Sequence, residues 1–107
     1  MTPQCAAVLA KLDEIEAEMK RIGFWTAEPP PKPDAPIRTY LDARTFEEWL
    51  QWVLLPNARA AARAGSLPAT SDVGLMAMRQ YDHHSYVEVA QPLLRLCGEL
   101  DAIVRGA

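Results

Sequence analysis

Two adjacent histidines, His83 and His84, are the first candidates for chemistry, because they are the only histidines in the chain. Neighbouring side chains point in different directions on most backbones, so a zinc site would need further ligands. The sequence has no Cys-x-x-Cys or His-x-x-x-His spacing to supply them. We expect the pair to be solvated or to cap the helix that follows, and the sequence predicts no metal ion and no cofactor.

Nucleophilic and acid–base catalysis also lack a recognisable arrangement of residues. The two cysteines, Cys5 and Cys97, fall on predicted core faces, where thiols usually serve as small hydrophobic groups. A disulfide between them would need Cα atoms within ~7 Å of each other. Glu47 and Glu48 could do acid–base work, but at a helix start they more simply complement the dipole. Because the chain has no Gly-x-Ser-x-Gly motif and no glycine-rich phosphate loop, we expect no catalytic residues and no enzyme.

Large aromatic side chains are the remaining candidates. Three tryptophans and three tyrosines are many for 107 residues, and most of them must lie in the core. Trp52 lies about 60° from Trp49 on a helical wheel, where its indole N–H can reach water, the proline-rich strap described below or a partner. We therefore predict that Trp49 is in the core, and we assign Trp25, Tyr40 and Trp52 as candidate partner-binding residues.

The run from Thr45 to Pro56 is predicted to form the central helix. Thr45 and Glu48 match the T-x-x-E capping box, in which side chains bond the free backbone N–H groups of the first turn. Leu55 lies in the arc otherwise left to polar residues, so either the helix bends at Pro56 or a new axis begins there. The residues that mark this arc for water are Glu47, Glu48 and Gln51.

Two apolar stripes at helical spacing predict the first and last helices. Thr2 before Pro3 starts the first helix, and Gly23 ends it in a left-handed conformation. Glu16 with Lys20 is spaced for weak surface pairing, as is Glu18 with Arg21. The first stripe is Cys5, Val8, Leu12, Ile15, Met19 and Ile22. The last stripe is Val87, Ala90, Leu94, Cys97, Leu100 and Val104.

A short third helix is predicted between the central and last helices. It is capped by Thr70, Ser71 or Asp72 and weakened by Gly74. Its apolar residues are Leu75, Met76, Met78 and Tyr81. The last helix begins with a second capping box, from Ser85 to Glu88, and Pro92 either kinks that helix or starts its regular part.

Five of the nine prolines lie between positions 29 and 36, where they exclude a helix and favour extended, partly polyproline II backbone. Trp25, Ile37, Tyr40 and Leu41 can pin this segment to the bundle. The predicted fold is therefore all-α, a compact and irregular four-helix bundle with a proline-rich extended strap between helices 1 and 2. We expect residues 1–107 to form a single domain, because this length is enough for one core.

Charge and hydropathy restrict the partners. The net charge is −3 and the pI is near 5.3, and the eleven lysines and arginines are spread thinly. Direct nucleic-acid binding needs clustered cations, so we expect none. No apolar run approaches the ~18 residues of a membrane span, and the amino terminus has no signal pattern. We expect a cytoplasmic protein that does not bind membranes.

The chain resembles the YqcC-like family of small bacterial proteins, a domain of unknown function. The resemblance spans nearly the whole chain and is strongest in Trp25-Thr26-Ala27-Glu28-Pro29, in Phe46-Glu47-Glu48-Trp49-Leu50-Gln51-Trp52-Val53, and in the closing Leu100-Asp101. It implies an all-helical fold. It also implies a gene often found beside a tRNA pseudouridine synthase gene, which suggests a shared task. The resemblance carries over no catalytic residues.

We expect a non-catalytic protein-interaction module, because catalytic motifs are missing and aromatic surface is expected near Trp52. The resemblance adds a possible role as an accessory to a tRNA-modifying enzyme such as a pseudouridine synthase. The alternative is a helical protein that binds a small hydrophobic ligand, in a pocket where Pro56 and Pro92 keep the helices apart. A homodimer is also possible, because the apolar stripes can exceed what one small bundle buries.

Overall fold

The computed structural model describes residues 1–27, 45–83 and 86–106, apart from the side chain of His83. Within these residues the chain forms four helices and no strand, which confirms the predicted all-α bundle. Helix α1 is Pro3–Arg21; α2 comprises Phe46–Trp49, the wider π-helical turn Leu50–Leu54, and Leu55–Ala64; α3 comprises Val73–Met78 and the π-helical turn Arg79–His83; α4 comprises the 3₁₀ turn Glu88–Ala90 and Gln91–Arg105. None of these described helices is both long and apolar enough to cross a membrane.

Several predicted features lie outside the described residues. They are the proline-rich strap, Tyr40, Ile37 and Leu41, the Ser85 side of the second capping box, and the histidine side chains.

The first helix begins and ends where the sequence predicts. The Thr2 hydroxyl accepts a hydrogen bond from the backbone N–H of Cys5 at 3.1 Å, and Pro3 occupies the first turn, where a missing N–H costs nothing. Gly23 follows the helix with a φ of +81°, a conformation that glycine adopts without steric cost. The predicted surface pairs also form, and Lys20 lies 2.9 Å from Glu16. Local chemistry alone is therefore enough to place this helix.

The core is built on the stripe of α1. Its first five members are each 4% exposed or less, while Ile22 is partly buried. Helix α1 packs against α4 and against the last part of α2, and α3 packs against α4. The fourth helix differs from prediction by one position, because Leu93 is fully buried and Leu94 only partly. Pro92 lies in the first turn of the regular part of α4, which is one of the two predicted alternatives.

A π-helical turn resolves the conflict around Pro56. The N–H of Leu55 donates a hydrogen bond to the carbonyl of Leu50, five residues back. Pro56 itself has no backbone N–H to donate to a carbonyl of the preceding turn. The wider turn rotates the positions that follow it, so that Leu55 points inward and is completely buried. The helical run continues through residue 64 and ends at Gly65, which has a φ of +71°.

The prediction that Gln51 faces water is wrong. Its side chain is only 4% exposed. The reason is tertiary, because the chain that follows α1 lies across this face of α2 and Thr26 hydrogen-bonds to the Gln51 amide. Glu47 is also partly buried, since its carboxylate accepts a hydrogen bond from the Tyr81 hydroxyl at 2.6 Å. The Thr45 cap is confirmed, as its hydroxyl accepts from the N–H of Glu48 at 3.1 Å.

The cap of α3 is likewise different from the prediction. Asp72 occupies the capping position, but its side chain makes no capping bond. The carboxylate of Asp101, on α4, accepts instead from the N–H of Val73 at 3.0 Å and from the N–H of Gly74 at 2.7 Å. The Ser71 hydroxyl donates to the same carboxylate. A residue distant in sequence therefore satisfies the start of this short helix.

Gly74 permits the close approach of α3 and α4. A Cβ built at this position would lie 2.7 Å from the Cα of Gly98 and 2.9 Å from Oδ2 of Asp101, distances that no real side chain tolerates. The same construction at Gly98 meets nothing within 4 Å. The glycine that weakens α3 locally is thus required by its packing.

We predict that Gly74→Ala lowers the free energy of unfolding by about 1–3 kcal/mol, because the added methyl group forces the two helices apart. Gly98→Ala is the matched control on the facing helix. It should be neutral or should stabilise by up to about 1 kcal/mol, because its Cβ has free space and alanine favours a helix. Urea unfolding of both variants measures the difference. Equal stability of Gly74→Ala and wild type would show that the contact is not tight.

Candidate functional site

The two tryptophans assigned from the sequence are linked through Thr26, beside the π-helical turn of α2. We define the tryptophan corner as Lys20, Trp25, Thr26, Gln51 and Trp52. Thr26 connects its two sides, because it follows Trp25 in the chain and its hydroxyl accepts a hydrogen bond from Nε1 of Trp52 at 3.4 Å. Both tryptophan side chains are partly buried and partly open to solvent.

Gln51 holds this corner together. Its Oε1 accepts from the backbone N–H of Thr26 at 2.9 Å and from the Thr26 hydroxyl at 3.2 Å. Its Nε2 donates to the Thr26 carbonyl oxygen at 2.6 Å. One side-chain amide thus pairs with both backbone groups of a residue outside any helix, as a neighbouring strand would. This attaches the chain after α1 to α2.

Lys20 covers the other tryptophan. Its Nζ lies 5.1 Å from the ring centroid of Trp25, within cation–π range, and 2.9 Å from a carboxylate oxygen of Glu16. The hydrogen bond with Lys20, supported by Arg59, lowers the pKa of Glu16 below its usual value. The ammonium group is therefore held between a carboxylate and an aromatic face.

Two of the three partner-binding candidates assigned from the sequence thus lie in the same corner. Trp25 and Trp52 share the corner, whereas Tyr40 lies outside the described residues. Sequence reasoning missed Thr26 and Gln51, which make most of the hydrogen bonds. The available signal was a single amide side chain between Leu50 and Trp52, in the otherwise apolar run 49–55 of α2.

The other aromatic residues divide between core and surface. Trp49 is 8% exposed and is in the core, as predicted. Tyr81 is 2% exposed and packs against Phe24 and Phe46 with ring centroids 5.8 and 5.7 Å away. Tyr86, by contrast, is 65% exposed. The distribution leaves Trp25 and Trp52 as the two tryptophans that face both protein and solvent.

Buried groups that could act as nucleophiles are engaged or suppressed. Burial and the nearby Asp101 carboxylate raise the pKa of the Cys97 thiol to about 12, so it stays protonated at neutral pH. Both carboxylate oxygens of Asp101 accept hydrogen bonds from backbone N–H groups at the start of α3. Cys5 and Cys97 are both buried free thiols. Among the described residues, no three His, Cys, Asp or Glu side chains are grouped to hold a metal ion.

The cations of the described residues are partly neutralised. Four of these eight lysines and arginines form ion pairs with carboxylates. Arg59, for example, lies 3.1 Å from Asp13 and 2.8 Å from Glu16. The four paired cations are Lys11, Lys20, Arg21 and Arg59. A surface of this kind presents little free positive charge to a phosphate backbone.

A separate apolar cavity of about 380 Å³ lies where all four helices meet the loop between α2 and α3. Leu54 and Asn57 line it on either side of Pro56 along the chain, but Pro92 does not. The predicted pocket thus has a counterpart near one of the two proline irregularities. Its lining is dominated by apolar side chains, including Trp49.

Comparison with known proteins identifies relatives of this sequence. The model of the family DUF446, which carries the description "tRNA pseudouridine synthase C", matches residues 7–103. An uncharacterised protein of Haemophilus influenzae is 30% identical over 59 residues, which is 51% of this chain and 54% of that protein. The chain therefore spans about half the length of the curated relative it matches. No solved structure matches.

We predict that Gln51→Ala lowers the free energy of unfolding by about 1–3 kcal/mol, because it removes the hydrogen bonds to Thr26 and leaves space in a buried position. It should also speed hydrogen exchange of the Thr26 amide. Gln80→Ala, on an exposed position of α3, is the matched control and should change neither quantity. Slow exchange at Thr26 in Gln51→Ala would show that other contacts hold the corner.

The folded state should lose stability as the pH rises above about 9. The pKa of Cys97 is about 12 in the fold against an ordinary 9.0, and the pKa of Tyr81 also lies above its ordinary 10.0 because of burial and its hydrogen bond to Glu47. Groups with a raised pKa stabilise the fold fully below their unfolded pKa, and this stabilisation is lost as the pH rises through the folded value.

Urea unfolding between about pH 7 and pH 11 measures this loss. Cys97→Ala should delay its onset to about pH 10, where Tyr81 alone contributes. Wild-type stability that stays constant up to about pH 11 would contradict the assignment.

Proposed function

Because the chain belongs to the DUF446 family, whose description names a tRNA pseudouridine synthase, we propose that it assists such an enzyme as a non-catalytic protein-interaction module. The YqcC-like assignment and a cytoplasmic location are parts of the same proposal. The family match supports the link to tRNA modification, and the tryptophan corner supports binding as the means.

The observation that carries this proposal is the geometry of the tryptophan corner. Trp25 and Trp52 each present a partly exposed ring, and the Gln51 amide and Lys20 hold them in place before a partner arrives. Tryptophan is enriched among the residues that dominate binding energy, because it buries a large area at a small entropic cost. A preorganised pair of this kind lowers the ordering cost of association.

Two buried groups, the Asp101 carboxylate and the Cys97 thiol, are poorly suited to catalysis. The Asp101 carboxylate is buried and already accepts three hydrogen bonds, from Ser71, Val73 and Gly74. The Cys97 thiol has a raised pKa and is completely buried. A nucleophile needs access to substrate and an ionisable state near neutral pH, and neither group has both.

The charge distribution favours contact with the enzyme and not with tRNA. The chain carries a net charge of −3, and half of the cations in its described part are paired with carboxylates. Phosphate binding depends on free clustered cations that displace counterions. The proposed module therefore binds the modifying enzyme through apolar and aromatic contacts.

The test is binding to the purified pseudouridine synthase of the same organism, measured by calorimetry. Wild type should bind, and Trp52→Ala should weaken binding by about 30-fold or more, equivalent to about 2 kcal/mol at an interface centre. Trp25→Ala should act in the same direction. Tyr86→Ala is the matched control, because it removes a more exposed aromatic ring outside the corner.

Two outcomes contradict the proposal. One is an absence of binding by the folded wild-type protein, and the other is equal weakening by Tyr86→Ala and Trp52→Ala. Direct, salt-sensitive binding of tRNA to the isolated domain would overturn the assignment of the enzyme as its contact. Urea unfolding of each variant separates loss of binding from loss of the fold.

A further inference from the structure

The apolar cavity lies apart from the tryptophan corner and has no part in the proposed association. None of the five residues of the corner lines it. Its volume is about 380 Å³, at the lower end of the range of ligand pockets. A cavity of about 150 Å³ accommodates benzene. The same volume per non-hydrogen atom gives the present cavity room for about 15 such atoms.

Short side chains on α2 leave this space open. Ala58 and Ala61 form one wall, where any larger residue would reach into the cavity. Leu100 and Val104 of α4 also line it and are buried. The cavity is partly open to solvent, and its apolar lining gains packing contacts when an apolar molecule occupies it.

The loop between α2 and α3 forms part of the lining of the cavity. Leu67, Pro68 and Thr70 of this loop belong to the lining. Between the N–H of Ser66, which bonds to Ala61, and the hydroxyl of Ser71, which bonds to Asp101, the described structure contains no hydrogen bond that holds this loop. Displacing Leu67 would therefore break no hydrogen bond of the described residues.

The lining also determines the charge of a suitable ligand. Among the described residues, no lysine, arginine or histidine lines the cavity, so an anion inside would find no counter-charge from them. The polar groups lie towards the exposed side, on Asn57, Thr70 and Asp72. A ligand with an apolar body and one neutral hydrogen-bonding group would match both the apolar lining and the polar residues on the exposed side.

We propose that this cavity is a binding site for an uncharged, compact apolar molecule of about 10–15 non-hydrogen atoms, held by Trp49, Ala58, Ala61, Leu100 and Val104 beneath the loop at Leu67. Such a ligand stabilises the folded state in proportion to its concentration, since it binds the native chain only.

The experiment compares naphthol with naphthoate, which carries a carboxylate at the same ring position. Naphthol should bind with one-to-one saturation in calorimetry and raise the melting temperature, and naphthoate should bind at least tenfold more weakly. Ala61→Phe fills the cavity and should abolish naphthol binding without lowering the melting temperature of the free protein. Ala60→Phe, the same change at the exposed neighbouring position, should bind like wild type.

A wild-type measurement keeps the test independent of the folding of any variant. In protein with methyl-labelled methionine, naphthol should shift the nuclear magnetic resonance signal of Met76, which lines the cavity, and leave Met78 of the same helix unchanged. The proposal is overturned by absent saturation, by equal binding of naphthoate, by retained binding in folded Ala61→Phe, or by an unshifted Met76 signal.

Discussion

The carboxylate of Asp101 is the interaction on which the arrangement of the helices depends. Helix α3 has only six α-helical residues and contains a glycine, so it cannot be stable by itself. Asp101 satisfies two of its free N–H groups from the facing helix and also binds the Ser71 hydroxyl. This works only because Gly74 lets α3 lie against α4. The buried Asp101 carboxylate, the glycine and the loop that lines the cavity therefore form one unit.

The second constraint is the π-helical turn ahead of Pro56. The wider turn accommodates one extra residue, so that the apolar face of α2 continues past Pro56 instead of ending there. In this stretch Leu50 and Leu55 point into the core, and Gln51 is buried beside Thr26. A helix without this turn would place Leu55 towards solvent. The irregularity of α2 is thus what allows one helix to build the core and to support the tryptophan corner.

The two tryptophans of α2 serve different surfaces because they lie on different sides of the helix. Trp49 is buried and lines the apolar cavity, whereas Trp52 is partly exposed at the corner. The proposed protein contact and the proposed ligand site therefore share a helix but no lining residue.

The sequence by itself determined the four helices, the cap at Thr2, the end at Gly23 and the burial of Trp49, because caps and 3.6-residue periodicity are local properties. It could not determine that Gln51 is buried, because an amide side chain between apolar residues can hydrogen-bond to water as well as to the backbone of Thr26. It also could not determine that Asp101 caps α3 or that Gly74 meets Gly98. These contacts join residues 24 to 28 positions apart, and only the tertiary structure brings them together.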